Sequence, residues 1–147
     1  MNLLFVMEQK PLMLMVRQLD RAWRERLRKI SAEAGIPDPY ARILAYLHRH
    51  PGASQKEISE YAQKTYAAIS QTVKEMLRED FVRRETDSED QRYAKLYLTE
   101  KGQAYALRMR EEIGKAEARV RQALPAGKEA EIAALLEHLY EAVRKEQ

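Results

Sequence analysis

The stretch Thr86–Gly102, TDSEDQRYAKLYLTEKG, decides the fold of this chain. Its first half is polar and acidic around one arginine, and its second half alternates apolar and polar side chains up to Thr99. A period of two is typical of a half-buried strand, and the run just before it, FVRRET at 81–86, has a strand-like composition. The sequence therefore predicts two strands, 81–86 and 93–98, joined by a charged loop.

The residues before this hairpin predict a helix-turn-helix. Apolar positions recur there at the helical spacing of three and four. The start and stop signals are Asp38 as N-cap with Pro39 at the first helical position, Pro51-Gly52 as a stop, the capping box Ser54-Gln-Lys-Glu57, and a cap at Thr65. These signals predict three successive helices, the last of which runs from Tyr66 to about Glu79.

Long amphipathic helices are predicted on both sides of this middle part. Apolar residues recur at helical spacing over 12–33, and Thr99 caps a second long helix that Pro125-Ala-Gly127 separates from a last one. A compact winged helix does not need so much apolar surface, so we expect the flanks to pack against a second copy of the chain. The predicted fold is mainly α with a small β-hairpin. Its parts are a winged helix-turn-helix domain at 38–98 and a helical dimerisation region at 1–37 and 99–147.

The composition excludes several classes of protein. The 147 residues include no cysteine, which excludes disulfides and thiolate metal sites. The apolar start is interrupted by Glu8, Lys10 and Pro11 and lacks the features of a secretory signal, so we expect no membrane span and a cytoplasmic protein. No catalytic residue, enzyme activity or cofactor is predicted, because the chain lacks a Ser/His/Asp order and a glycine-rich phosphate loop. His48 and His50 do not share a helix face, so no metal site is predicted.

The helix after Thr65 has an outer face suited to a DNA groove. A helix that enters the major groove needs small or hydrogen-bonding side chains in its N-terminal half. The residues that meet this need are Thr65, Tyr66, Ala67, Ala68, Ser70, Gln71 and Lys74. Gln71 can form two hydrogen bonds with adenine, while Lys74 and Thr65 suit phosphates. The alternative is an ordinary amphipathic helix with a polar outer face.

The loop of the predicted hairpin contains Arg92, which suits a narrow minor groove. Negative potential is concentrated in such a groove and attracts arginine. The acidic neighbours would repel phosphate if they were free. We therefore expect Asp90 or Asp87 to pair with Arg92 through charge-assisted hydrogen bonds and so fix its side chain. The alternative is a solvated turn.

The loop and the residues after it carry a motif. Asp87-Ser-Glu-Asp90-Gln-Arg92, followed by Lys95-Leu-Tyr-Leu98-Thr-Glu-Lys-Gly102, matches the pattern D-x-x-D-x-R…L-T-x-x-G. This pattern resembles the wing signature of the MarR family of winged helix-turn-helix transcriptional regulators, whose recognition helix falls at residues 67–76. The resemblance implies a homodimeric repressor that binds an inverted repeat in double-stranded DNA. Residues 65–74 would enter the major groove and Arg92 the minor groove.

The polar faces and the resemblance together define the predicted DNA contacts. They are Ser54, Gln55, Lys56, Thr65, Tyr66, Ala67, Ala68, Ser70, Gln71, Lys74, Arg84, Asp90, Gln91 and Arg92. The chain departs from the family at Gln71, where many members have arginine, and at Asp80, which replaces a glycine. We expect Asp80 to tolerate the left-handed backbone that glycine usually adopts.

The resemblance also implies a small aromatic or anionic effector, bound between the dimer helices and the reading domain. By position, the predicted pocket residues are Met15, Trp23, Tyr40 and His48. The alternative function is a winged-helix dimer that serves as a protein-binding adaptor and does not bind DNA. The charge count keeps this alternative open, because residues 64–95 contain seven basic and seven acidic side chains.

Overall fold

The computed structural model describes residues 11–86, 89–90 and 93–146. Within this part the chain forms six helices and a two-stranded antiparallel hairpin, so the predicted fold class, mainly α with a small β-hairpin, is confirmed. The elements are α1 (Leu12–Glu33), α2 (Asp38–Arg49), α3 (Gln55–Ala62), α4 (Tyr66–Arg78), β1 (Val82–Glu85), β2 (Lys95–Leu98), α5 (Glu100–Gln122) and α6 (Glu129–Lys145). None of these helices is both long and apolar enough to cross a membrane.

Side-chain caps begin α3 and α4 where the sequence predicts them. Ser54 Oγ accepts from the Glu57 backbone N–H at 3.2 Å, and the Glu57 carboxylate accepts from the Ser54 N–H at 2.7 Å. This is a complete capping box. Thr65 Oγ1 accepts from the Ala68 N–H at 3.2 Å. Each cap satisfies a backbone donor that the first helical turn leaves unpaired, so both helices start at defined residues.

The start of α2 corrects one prediction. Asp38 is not the N-cap, because Pro37 occupies that position and Asp38 is the first helical residue. The ring of Pro37 holds φ at −57° with an extended ψ, which suits the residue just outside a helix. Asp38 still contributes its negative charge to the first turn, where the helix dipole favours it.

Left-handed backbone ends α1 and α4. Gly35 has φ 71° after α1, a conformation that glycine adopts readily at the end of a helix. Asp80 has φ 61° after α4, which confirms that it adopts the conformation usual for glycine. The turn at Asp80 closes when the Phe81 N–H donates to the Met76 carbonyl at 2.8 Å. The chain is thereby redirected from α4 into β1.

The hairpin pairs residues 82–85 with residues 95–98 and also contacts the chain before α3. The Leu96 N–H donates to the Ala53 carbonyl at 3.0 Å, and the Gly52 N–H donates to the Leu96 carbonyl at 2.8 Å. Ala53 therefore forms a β-bridge to Leu96. These hydrogen bonds connect β2, near the loop end of the hairpin, to the chain just before α3.

The start of α5 packs against the turn between α4 and β1. A Cβ atom added to Gly102 would lie well inside the van der Waals distance of the Phe81 carbonyl oxygen. Thr99 Oγ1 accepts from the Gly102 N–H at 3.0 Å, as a cap should, and donates to the Asp80 carbonyl at 2.5 Å. The threonine and the glycine of the wing motif thus have structural roles: one caps α5 and ties it to the turn, and the other permits the close approach.

The core lies between the helix-turn-helix and the hairpin and also includes side chains of α1 and α5, among them Ile30 and Met109. Its fully buried side chains include Ile43, Leu44, Leu47, Ile58, Val73, Met76 and Leu96. Phe81 lies between two tyrosine rings, with ring centroids 5.5 Å from Tyr40 and 5.0 Å from Tyr105, both edge to face. Such aromatic pairs add to the stabilisation that burial provides. The core therefore holds α4 and the hairpin in fixed positions on one scaffold.

The chain divides within α5 into two compact units, one up to Glu111 and one from Glu112 onward. In the first unit, apolar side chains of the first half of α1 are exposed, with Leu12 at 56% and Leu19 at 62%. In the second unit, α6 exposes an apolar face made of Leu135, Leu136, Tyr140 and Val143. Exposed apolar patches of this kind mark surfaces that contact a partner.

Candidate nucleic-acid interface

The outer face of α4 carries the small and polar side chains of the candidate site. The exposed residues are Thr65, Ala67, Ala68, Gln71 and Lys74, while Tyr66 and Ser70 are half-buried. The opposite face buries Ile69, Val73 and Met76 in the core. Alanines in the first turns leave space for the helix to approach the floor of a groove, while Gln71 and Lys74 supply hydrogen-bonding groups.

Gln71 is held by a neighbour one helical turn away. Its Nε2 donates to Glu75 Oε1 at 3.1 Å. The Gln71 side chain is exposed and that of Glu75 is half-buried. The amide has a carbonyl oxygen and a second N–H with which it can bind the edge of a base.

The start of α3 provides a second part of the candidate surface. Lys56 is exposed and Ser54 is half-buried, whereas Gln55 is only 2% exposed. The Gln55 Oε1 has no hydrogen-bond partner among the described residues. Lys56 is therefore the most accessible of the three to a phosphate, and a DNA contact by Gln55 stays a prediction.

The hairpin contributes arginines from β1. Arg84 is half-buried and already has an interaction partner within the chain. Arg83 is exposed, pairs with Glu85, and its guanidinium carbon lies 4.4 Å from the centroid of the Tyr97 ring. Tyr97 is directly opposite Arg83 in the strand register. The ring and the carboxylate together restrain Arg83 at the surface of the hairpin.

The tip of the wing falls partly outside the described residues. Asp90 is described and is half-buried with an interaction partner. Asp87, Gln91 and Arg92 lie outside the described residues, and so does the predicted pairing of Arg92 with an aspartate. Both the contact of Arg92 with a minor groove and its pairing stay predictions.

An open cavity of about 420 Å³ lies between α3 and the loop end of β2. Its lining consists of Gly52, Ser54, Lys56, Glu57, Glu60, Tyr93 and Lys95. The two lysines are balanced by two glutamates, so the lining has no net charge preference for an anion.

The C-terminal end of α4 is held by α2 and α5. The Tyr40 hydroxyl donates to Glu79 Oε1 at 2.9 Å, and Lys101 Nζ donates to the Glu79 carbonyl at 2.7 Å. Burial raises the pKa of Tyr40 to about 12, and the hydrogen bond to the Glu79 carboxylate adds to the rise. The phenol therefore stays protonated and keeps donating across the neutral range.

The four residues predicted to line an effector pocket lie in different environments. Met15 is on the exposed first half of α1 and Trp23 is half-buried farther along the same helix. Tyr40 is buried, and His48 Nδ1 is 2.9 Å from Gln103 Nε2 of α5. That these residues bind one ligand stays a prediction.

Sequence reasoning assigned no role to three residues at or beside the candidate interface. The pairing of Glu75 with Gln71 could have been predicted, because side chains four residues apart on a helix are neighbours. Arg83 is exposed beside Tyr97 only because of the strand register, and Ala53 joins the hairpin through one bridge. Neither of these two relations has a local pattern in the sequence.

Comparison with known proteins gives a family match and several matching structures. The model of the MarR family matches residues 34–92, which include α2, α3, α4 and β1. No curated protein sequence matches the chain. The solved structure of the S. aureus MepR–DNA complex is 17% identical with a TM-score of 0.75, and the match covers 92% of this chain and 99% of that chain.

Two further solved structures are similar over the same extent. A MarR transcriptional regulator from Methanosarcina mazei is 22% identical, with a TM-score of 0.73 and coverage of 90% of this chain and 96% of that one. The Mycobacterium tuberculosis MarR family protein Rv2887, in complex with salicylic acid, is 25% identical, with a TM-score of 0.68 and coverage of 90% and 98%. The family match over residues 34–92 and the fold shared with these structures confirm the resemblance to the MarR family seen in the sequence.

Proposed function

We propose that the chain is a DNA-binding transcriptional regulator that acts as a homodimer on an inverted repeat in double-stranded DNA. The observation that carries the proposal is the outer face of α4, where exposed alanines, Gln71 and Lys74 lie opposite a buried apolar stripe. Such a face suits the major groove. The MarR-family match and the similarity to MepR, which has been crystallised with DNA, support the same function.

In this proposal the domain at 38–98 reads DNA, and the regions 1–37 and 99–147 hold two copies together. The N-terminal half of α4 enters the major groove, Lys56 and Lys74 contact phosphates, and Arg92 enters the adjacent minor groove. The exposed apolar faces of α1 and α6 support the dimer, because a second copy would remove them from water. Two reading heads would then bind half-sites about one helical turn apart.

DNA binding is tested by fluorescence anisotropy with duplexes selected from a random pool. We expect the selected sites to be inverted repeats, and the affinity to fall steeply as salt concentration rises. Arg92→Ala should weaken binding markedly, whereas Arg144→Ala, the same loss of charge on the exposed end of α6, should have little effect. Equal effects of the two substitutions would contradict the proposed role of Arg92.

The same experiment separates the regulator from a protein-binding adaptor. The equal numbers of acidic and basic side chains over 64–95 are the observation that favours an adaptor. An adaptor would bind no duplex even at low salt, where electrostatic attraction between protein and DNA is strongest.

We propose further that the protein is a repressor released by a small aromatic anion. The salicylic acid complex of Rv2887 supports this class of ligand. Met15, Trp23, Tyr40 and His48 are the proposed pocket residues. An effector acts only if it binds one arrangement of the two reading heads better than the other. Salicylate should therefore raise the melting temperature and weaken DNA binding, and an absence of both effects would contradict salicylate as a ligand.

A further inference from the structure

We propose that Glu75 is a positioning residue that makes Gln71 select adenine over guanine. This inference rests on the proposed function, since it concerns how α4 reads a base. It adds to that function a residue that contacts no base itself. Its starting point is the hydrogen bond of 3.1 Å between Gln71 Nε2 and Glu75 Oε1.

The chemistry of the two side chains fixes the orientation of the Gln71 amide. An ionised carboxylate has only acceptor oxygens, whereas an amide has one oxygen that accepts and one nitrogen that donates. Glu75 can therefore bind only the nitrogen side of Gln71. Rotating the amide by half a turn would bring its oxygen against the carboxylate, which is repulsive. The hydrogen bond thus selects one of the two amide orientations before DNA is bound.

This orientation also determines how many donors Gln71 can offer. Its Nε2 carries two hydrogens, and one of them is directed to Glu75. What remains for a base is one N–H and the carbonyl oxygen. In the major groove adenine presents one acceptor, N7, and one donor, the N6 amino group, whereas guanine presents two acceptors, N7 and O6. The remaining groups of Gln71 match adenine, and its carbonyl oxygen would face the O6 of guanine.

The charge of Glu75 has a separate and opposite effect. A carboxylate on the outer face of α4 repels the phosphate backbone whatever the sequence, so it weakens binding to every duplex. Removing the charge should strengthen binding to all sequences together. Removing the hydrogen-bond acceptor should instead alter the ratio between two sequences. The two effects are separable because the first changes Kd for every duplex by the same factor, whereas the second changes the ratio of the Kd values of two duplexes.

The test compares five forms of the full chain. They are wild type, Glu75→Gln, Glu75→Ala, Gln71→Ala and the double variant that combines Gln71→Ala with Glu75→Ala. A duplex is first selected from a random pool with wild type. Anisotropy then gives Kd for this duplex and for versions in which each A·T pair is replaced by G·C. We expect wild type to prefer adenine at one position per half-site. Glu75→Gln should lose part of this adenine preference, because a glutamine amide can donate to the Gln71 oxygen as well as accept from its nitrogen. Glu75→Ala should lose about fivefold or more of that preference.

Three outcomes decide the matter. An adenine preference lost in Glu75→Ala, reduced in Glu75→Gln, and unaffected by Glu75→Ala when Gln71 is already alanine supports the inference. A preference kept in full by Glu75→Ala, or an effect of Glu75→Ala that persists without Gln71, overturns it while leaving DNA binding intact. If wild type binds no duplex, the proposed function fails and the inference fails with it. Circular dichroism melting confirms that each variant is folded.

Discussion

Gly102 is a residue whose identity is dictated by its backbone surroundings. No side chain fits at this position, because a Cβ would overlap the carbonyl oxygen of Phe81, and a backbone atom cannot move away as the end of a side chain can. The glycine that ends the wing motif is therefore required for the close packing of α5 on the turn after α4.

Replacing Gly102 should thus be costly, although alanine favours helices. We expect Gly102→Ala to lower the free energy of unfolding by about 3 kcal/mol, because overpacking against backbone forces a shift. The control is Gly114→Ala in the same helix, where an added Cβ meets nothing within 4 Å. It should stabilise by about 0.5–1 kcal/mol. Urea unfolding at one protein concentration measures both, and equal changes would contradict the packing explanation.

Tyr40 allows a prediction about pH. Its pKa is about 12 in the folded chain against 10 in the unfolded chain, so its stabilisation is complete below pH 10 and is lost as pH rises through 12. The stability of wild type relative to Tyr40→Phe should therefore fall by about 1 kcal/mol between pH 9 and pH 11. Urea unfolding at both pH values tests this, and a constant difference would contradict it.

At the scale of the element, α4 is proposed to make two kinds of DNA contact, one to phosphate and one to a base, and mutations should distinguish them. Lys74 is proposed to bind a phosphate, which every sequence has, and Gln71 to bind a base. We expect Lys74→Ala to weaken binding to all duplexes about equally and to lower the salt slope by about one. Gln71→Ala should weaken binding mainly to the selected site. Titrations at several salt concentrations measure both quantities, and a sequence-selective effect of Lys74→Ala would contradict its assignment.

The elements that could be predicted from the sequence are those with local signals. The capping box at Ser54 and the cap at Thr65 depend on residues three apart in the chain. Both caps can therefore be predicted from the sequence, and the structure confirms both. Asp38 was misplaced by one residue because either Pro37 or Asp38 suits the position before a helix. The bridge at Ala53 depends on residues 43 positions away, and no local pattern indicates it.

The candidate site was predictable to a similar degree. The outer face of α4 follows from helical periodicity, which places Ile69, Val73 and Met76 inside and leaves Gln71 and Lys74 outside. The burial of Gln55 could not be read in this way, because it depends on what packs over the start of α3. Tertiary packing also decides that Arg83 rather than Arg84 is the exposed arginine of β1.

At the scale of the whole molecule, the proposed dimer depends on apolar faces that each unit exposes. Leu136→Glu, on the exposed apolar face of α6, should shift the protein from dimer to monomer and weaken DNA binding, because a charge buried without a partner is costly. Analytical ultracentrifugation measures the shift. The control is Ala134→Glu, which adds the same charge to an exposed position on the other side of α6. If both variants stay dimeric, α6 does not form the interface.

The bridge between Ala53 and Leu96 has a consequence for local opening. Its two hydrogen bonds protect the backbone amides of Gly52 and Leu96 from exchange with deuterated water, and neither amide is released unless β2 parts from the segment before α3. Their exchange rates should therefore be nearly equal. Both should be slower than that of Glu85, which belongs to the last pair at the loop end of the ladder, where fraying needs no such separation.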